Sequence, residues 1–240
     1  MNLAIITGGS KGLGKALVRT YCLKGFKVIN ISRTNSCLEH DNLLGNLNYD
    51  LTNIELFNSL TKNITKLTQN IIFKEVILIN NAGTLGDIIT NEKSSAQNIN
   101  HTINLNLTTP LVLTSIITKL FTNIKISIYN ISSGAANKPY FGWSNYSASK
   151  SGLSLATRSI ALEQENNTNF KIFNIIPGVI DTQMQKQIRD SKKENFKHIA
   201  KFTSMKEEGL LQNPLDVALK IYNIRTMNYK SGYTINLKHI

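Results

Sequence analysis

Cysteine is almost missing from this chain, with two, Cys22 and Cys37, among 240 residues. Two thiols in a chain this long build no disulfide framework and fit a reducing compartment, and neither stands in a metal-ligand spacing, so no metal is expected. Long apolar runs are missing too. None approaches the ~20 residues that a bilayer span requires. Leu3 to Ile6 reads as a core strand so soon after Met1 that no signal peptide is expected. These absences point to a soluble, cytoplasmic protein without a membrane partner. Acids are scarce, 15 against 27 lysines and arginines for a net charge of +12, and none follows Asp216. Such a charge can mark a polyanion partner. The basic residues are nevertheless spread along the chain with no aromatic-interleaved motif, and Asn, Ile and Lys are abundant throughout. The densest group, Lys186, Arg189, Lys192, Lys193, Lys197 and Lys201, falls in one polar segment. The charge therefore reads as a solvated surface, with no nucleic-acid partner.

What is present is an ordinary globular balance, 41% hydrophobic and 18% charged residues, long enough for one domain over 1–240 with a substantial core. Leu3 to Ile6 is a short apolar run typical of a buried parallel strand. Thr7-Gly8-Gly9-Ser10-Lys11-Gly12-Leu13-Gly14 follows, then a helical pattern through Leu17 and Tyr21 that stops at Gly25. Strand, glycine-rich turn and helix is a dinucleotide-binding arrangement, because glycines let the backbone approach a pyrophosphate whose charge the helix N-terminus favours. Phe26 to Ile31 reads as the second strand, and an acid at its tip would select NAD. The tip is instead Ser32-Arg33-Thr34, facing Lys11 in the glycine turn. Two cations and a small hydroxyl suit a 2′-phosphate, so NADP(H) is the expected cofactor.

Leu47 to Asp50 reads as a short third strand with Asp50 near the adenine position, Asn53 to Leu67 as a helix, and Glu75 to Ile79 as the fourth strand. That strand runs into Asn80-Asn81-Ala82-Gly83, where asparagines tie strand ends together and Gly83 admits a ribose closely. Asn98 to Phe121 reads as one long helix. Pro110 lacks an N–H, which frees the Asn106 carbonyl to bind a water. After a fifth strand, Ile126 to Ile131, comes Ser132-Ser133 and then Tyr146-Ser147-Ala148-Ser149-Lys150. Tyr146 and Lys150 are four apart and share one face of a helix. On its own this spacing also fits two residues on a solvated face. Beside an ammonium, however, a phenol is pulled from its usual pKa toward the working range of an acid–base group. That helix runs to about Glu165 with apolar residues on more than one face, which suggests a homo-oligomer, a dimer or tetramer. Lys171 to Ile176 is the sixth strand and leads into Pro177-Gly178-Val179-Ile180-Asp181-Thr182. The polar stretch 183–213 fits a lid, Pro214 opens a last helix, and Tyr233 to Leu237 closes the sheet.

In order and spacing these motifs resemble the short-chain dehydrogenase/reductase family over essentially the whole chain. The resemblance implies a single-domain α/β Rossmann-like fold, a doubly wound parallel sheet of about seven strands with helices on both faces. It implies a catalytic tetrad of Asn106, Ser133, Tyr146 and Lys150. A cofactor groove is implied from Gly8, Ser10, Lys11, Gly12, Leu13, Gly14, Arg33, Asp50, Asn81, Ala82, Gly83, Tyr146, Lys150, Pro177, Gly178, Val179 and Thr182. Substrate contacts are expected from Ser133, Tyr140, Trp143, Tyr146 and Met184. Asn130 to Trp143 and Pro177 to Gln185 are similar to the branch holding benzil and sepiapterin reductases. The implied activity is NADPH-dependent reduction of a ketone or 1,2-diketone, with Tyr146 as proton donor and Lys150 on the nicotinamide ribose. Pteridine reduction and a non-catalytic NADP-binding regulator are the alternatives. Against the first, Asn236 stands where sepiapterin reductases carry a carboxylate. Against the second, a pure sensor needs no Ser133, Tyr146 and Lys150 together.

Overall fold

The computed structural model describes residues 1–36 and 39–240, so Cys37 lies outside the described residues. Seven short strands form one parallel sheet: β1 (Asn2–Thr7), β2 (Lys27–Ser32), β3 (Leu43–Asn48), β4 (Glu75–Asn80), β5 (Lys125–Ile131), β6 (Phe170–Ile176) and β7 (Thr234–Asn236). Their order is β3-β2-β1-β4-β5-β6-β7. The chain reverses its direction of winding between β1 and β4, and the loops leaving those two strands diverge to open a crevice at the sheet's C-terminal edge. The central strands read as continuous Val, Ile and Leu runs because both their faces are covered.

One face carries α1 (Gly12–Leu23) and α8 (Pro214–Asn223), whose Leu17, Val18, Tyr21, Val217 and Ile221 are fully buried against Ile6, Ile79 and Tyr129. The other carries α2 (Phe57–Thr68), α4 (Thr109–Leu120) and α5 (Ser144–Glu163), through Leu60, Ile64, Leu113, Ile117 and Ala161. α1 ends where the sequence says it must. Gly25 takes φ +78°, and the Gly25 and Phe26 amides donate back to Cys22 and Tyr21, satisfying the last helical carbonyls. Leu155 and Leu162 of α5 are left exposed. Among the described residues, no helix is long and apolar enough to cross a membrane.

Two expectations need correction. The third strand lies four residues earlier than Leu47–Asp50, pairing Leu43–Asn48 with β2 and leaving Tyr49 and Asp50 beyond its end. Gly45, Asn46 and Asn48 hide that strand from an apolar-run reading. The expected helix from Asn98 to Phe121 is α3 (Ala96–Ile103), a π-helical turn Asn104–Thr108, and then α4. Its ladder slips so that the Thr109 amide donates to the Asn104 carbonyl, and Pro110 opens the next helix as its missing N–H allows. The polar segment 183–213 holds two helices, α6 (Gln183–Arg189) and α7 (Ile199–Glu207).

Candidate active site

The glycine turn and the β4 loop are interlocked across the crevice. The Thr7 hydroxyl accepts from the amides of Asn81 (3.0 Å) and Ala82 (2.9 Å), while Asn81 Nδ2 donates to the Thr7 carbonyl at 2.9 Å. Asn80 Nδ2 donates to Asn130 Oδ1 at 2.8 Å, tying β4 to β5. Only glycine fits at position 14, where a Cβ would sit 2.0 Å from the Gly8 carbonyl oxygen. Gly8 itself has φ +70° and packs on Ala82. The N-terminus of α1 carries no acid in its first turn and no side-chain cap, so its amides and partial positive charge face the crevice. This bare helix end against a glycine floor is what a pyrophosphate requires, and the residues fit a bound dinucleotide.

The β2 tip differs in detail from expectation. Ser32 is buried, and its hydroxyl donates to the Thr34 carbonyl at 2.6 Å, so it holds the tip's shape rather than offering a free donor. Arg33 is exposed and lines the cleft. Lys11 Nζ donates to Gln183 Oε1 at 2.8 Å, which joins the glycine turn to the first residue of α6. Asp50 accepts from the amide and hydroxyl of Thr52. Chiefly the Thr52 amide, with help from the Thr52 hydroxyl and the Arg33 charge, holds its carboxyl below the usual range.

At the other end of the cleft, Tyr146 and Lys150 lie one turn apart on α5, both buried, with Ser133 just past the tip of β5. Lys150 Nζ donates to the Ile131 carbonyl at 2.8 Å and lies 6.0 Å from the Tyr146 ring centroid. Burial draws the Lys150 pKa down to about 8. The expectation that Lys150 lowers the Tyr146 pKa is not met. Burial raises the phenol above its ordinary value, and the opposing influence is a hydrogen bond with Ser133. A phenol removed from water favours its neutral form, and an ammonium that is itself poorly solvated and turned toward a carbonyl compensates little. The Asn106 side chain makes three contacts: Nδ2 donates to the Thr84 carbonyl (2.8 Å) and Ser149 Oγ (3.0 Å), and Oδ1 accepts from the Thr84 amide (2.9 Å). The π-helical turn presents it fully buried, between the β4 loop and the Tyr146 helix.

The remaining wall comes from the loop 134–143 and the segment 183–213. Trp143 is only 5% exposed. It stacks on Phe196 with ring centroids 4.7 Å apart at 19°, and touches Tyr140 (4.9 Å), Tyr146 (5.5 Å) and Phe202 (5.7 Å). Trp143 thus packs on the segment 183–213 as well as lining the cavity. Gln185 Nε2 donates to the Phe202 carbonyl at 2.9 Å, fastening α6 to α7. Of the residues singled out from sequence, all but the buried Asn106 line one cleft of about 780 Å³ that runs from Arg33 and Asp50 past Gly8–Gly14 to Tyr146, Trp143 and Met184. Sequence reasoning missed Leu85, Lys138, Lys201, Phe202 and Met205 on its walls. Phe196 and Phe202 were detectable as isolated aromatics in an otherwise polar segment. The partner of Asn106, Ser149, was visible inside the Tyr146–Lys150 stretch.

Residues 2–193 match the family described as short chain dehydrogenase. Benzil reductase ((S)-benzoin forming) of Bacillus subtilis (strain 168) is 35% identical over 241 residues, covering 99% of both chains. Sepiapterin reductase of Xenopus tropicalis is 26% identical over 255 residues, covering 96% of this chain and 94% of the relative. The solved structure of 4-hydroxyisoleucine dehydrogenase complexed with NADH superposes with a TM-score of 0.80 at 23% identity, over 98% of this chain and 96% of that one.

Proposed function

Because the chain belongs to the short chain dehydrogenase family, we propose that it is a carbonyl reductase that uses NADPH to reduce a ketone or 1,2-diketone to an alcohol. The observation that carries this reading is the meeting of Ser133, Tyr146 and Lys150 at one end of a cleft whose other end is a bare helix N-terminus on a glycine floor. When bound, the reduced nicotinamide supplies a hydride to the carbonyl carbon. The chain's own residues do the rest. Gly8 to Gly14 and the α1 amides hold the pyrophosphate, Asn81 to Gly83 flank the ribose, and Pro177, Gly178, Val179 and Thr182 line the nicotinamide side. Arg33 and Lys11 present positive charge to a 2′-phosphate, with no acid at the β2 tip to repel it. To serve, Lys11 exchanges its Gln183 partner for the phosphate.

Ser133 donates a hydrogen bond to the substrate oxygen and stabilises charge as it develops there. Tyr146, kept protonated at neutral pH by its burial, gives its proton to that oxygen. Lys150 holds the nicotinamide ribose and feeds positive charge toward the phenolate that remains. Asn106 positions these groups by joining the β4 loop to α5 through Thr84 and Ser149. The chain acts as one domain with 183–213 as a lid, and the exposed Leu155 and Leu162 on α5 favour a homo-oligomer. Pteridine reduction is the weaker reading. Asn236 is neutral, and its Oδ1 already accepts from the Lys238 amide.

Absorbance at 340 nm tests the proposal. The intact protein should oxidise NADPH with benzil, and faster than with sepiapterin. No NADPH oxidation with any diketone, quinone or aldehyde would overturn it.

A further inference from the structure

We propose that the substrate half of this cleft is built for an anionic carbonyl compound, an aromatic keto acid, with Lys138 and Lys201 as its specificity-determining residues. This rests on the reductase reading above and names the substrate class for the same site. Lys11 and Arg33 account for the cations at the dinucleotide end, and Lys150 is occupied beside Tyr146. Three further lysines line the same cavity, Lys138, Lys201 and Lys238. Lys238 stands by Gly178 just after β7, and the other two lie on the loop and the helix that carry the aromatic wall. Lys138 sits in the loop between Ser133 and Tyr146, its Nζ 5.3 Å from the centroid of Tyr140, whose ring abuts Trp143. Lys201 lies on α7 next to Phe202, which packs on Trp143 from the lid side. Lys138 thus approaches an aromatic cluster to which Tyr146 belongs, and the exposed Lys201 lines the same cavity from α7.

A basic chain scatters lysines over its surface, so their number means little. Their setting is what counts. Among the described residues Asp50 is the only carboxylate lining this cleft, and it lies at the opposite end beside Arg33. Among the described residues, neither Lys138 nor Lys201 is paired with an acid. A cavity with apolar walls and unpaired charge of one sign focuses its field on an incoming ligand of the other sign. The outer mouth, by contrast, mixes Lys186 and Lys192 with Asp87 and Asp190, so selection for charge is strongest inside. The aromatic walls supply the rest of the specificity by stacking on a ring. A phenyl keto acid combines both features, with its carboxylate toward the lysines and its ketone toward Ser133 and Tyr146.

Trp143 is the chain's single tryptophan, so binding is readable without turnover. Tryptophan fluorescence of the intact protein would be titrated with phenylglyoxylate and with its neutral methyl ester. At low salt the acid should bind about tenfold or more tighter than the ester, and the ratio should shrink in 0.5 M NaCl as screening shortens the field's reach (both orders of magnitude). The Lys138→Met/Lys201→Met pair should abolish the preference. Lys62→Met/Lys66→Met, the same charge removed from α2 outside the cleft, should leave it. Equal binding of acid and ester, or a preference that survives in the Lys138/Lys201 variant, overturns the proposal. NADPH-dependent turnover of both compounds separates the two readings. Reduction of the ester with no preference for the acid sinks the lysine assignment alone. Reduction of neither sinks this inference, and the reductase reading falls with it only if diketones, quinones and aldehydes go unreduced as well.

Discussion

The two halves of the cleft are built by different means. The dinucleotide half is main chain: glycines that leave no side chain, the bare amides of α1, and the Thr7–Asn81 clasp between adjacent strand ends. The substrate half is side chain, an aromatic stack joining a loop to a lid from far along the sequence. Backbone geometry tolerates few substitutions and writes itself into the sequence as motifs. A wall of packed side chains admits many solutions and leaves no motif. The difference also separates what each half contributes, since one fixes a cofactor shared across a family and the other decides what is reduced.

The largest effect should come from Tyr146, where the halves meet. Tyr146→Phe keeps the ring against Trp143 and removes only the hydroxyl that carries the proton. Turnover should fall by a factor on the order of 10²–10⁴, the usual worth of a positioned acid. The NADPH dissociation constant, followed by cofactor fluorescence, should stay within about twofold. A variant as active as the parent would show that the proton comes from elsewhere.

The lid offers the next test. Phe196 is fully buried against Trp143, and truncating a buried Phe to Ala typically costs ~3–5 kcal/mol. If lid docking bears that cost, Phe196→Ala should raise the ketone KM roughly a hundredfold. Cofactor affinity should hardly move, because the glycine floor is intact. Equal losses in both would mean that the two halves are mechanically one.

This division explains what could be read from the chain before its structure. The sheet, Gly8–Gly14, Asn80–Gly83 and the Tyr146–Lys150 pair were legible because each rests on a local rule of backbone or helix geometry. β3 was misplaced because an edge strand needs little apolar character on its outer side, and Leu-Leu-Gly-Asn-Leu-Asn supplies little. The π-helical turn was missed because proline signals a break without saying how the ladder adapts. The lid helices were hidden by polar composition, since they bury only a few residues, chiefly Gln185, Ile188, Phe196 and Phe202. Lys138 and Lys201 carried no signal beyond their charge. Only the fold brings them to one cavity.

A smaller effect is expected at the β2 tip. Arg33→Asp replaces attraction to a 2′-phosphate by repulsion, and a charged hydrogen bond is worth ~1.5–3 kcal/mol. The NADPH KM should therefore rise about tenfold to a hundredfold, with NADH little affected. Because Ser32 is spent on Thr34, Ser32→Ala should disturb the tip's shape without reversing the preference. An unmodified protein equally effective with both cofactors would refute NADPH selection outright.

The mildest test concerns pH and belongs to Lys150. Its folded pKa, about 8, lies below the ordinary lysine value of 10.5 because burial penalises the ammonium. Between those values the unfolded chain holds a proton that the native protein has shed, so stability should rise with pH across that window. Tyr21 and Tyr129, whose burial raises their pKa values, oppose this near and above pH 10, and Cys22, whose thiol burial pushes up to about 11, opposes it already from about pH 9. The difference in Tm between the parent and Lys150→Met, followed from pH 7.5 to 9.5, isolates the lysine. The gap should shift in favour of the parent as pH rises. For catalysis the same ionisation acts in the opposite sense. Tyr146 remains protonated, so it sets no limit near neutrality, whereas loss of the Lys150 charge weakens the hold on the ribose. The kcat/KM for NADPH, which reports groups of the free enzyme, should bend downward near pH 8 and fall at most tenfold per unit beyond it. A profile flat to pH 10 would mean that the ammonium has no part in either half of the cleft.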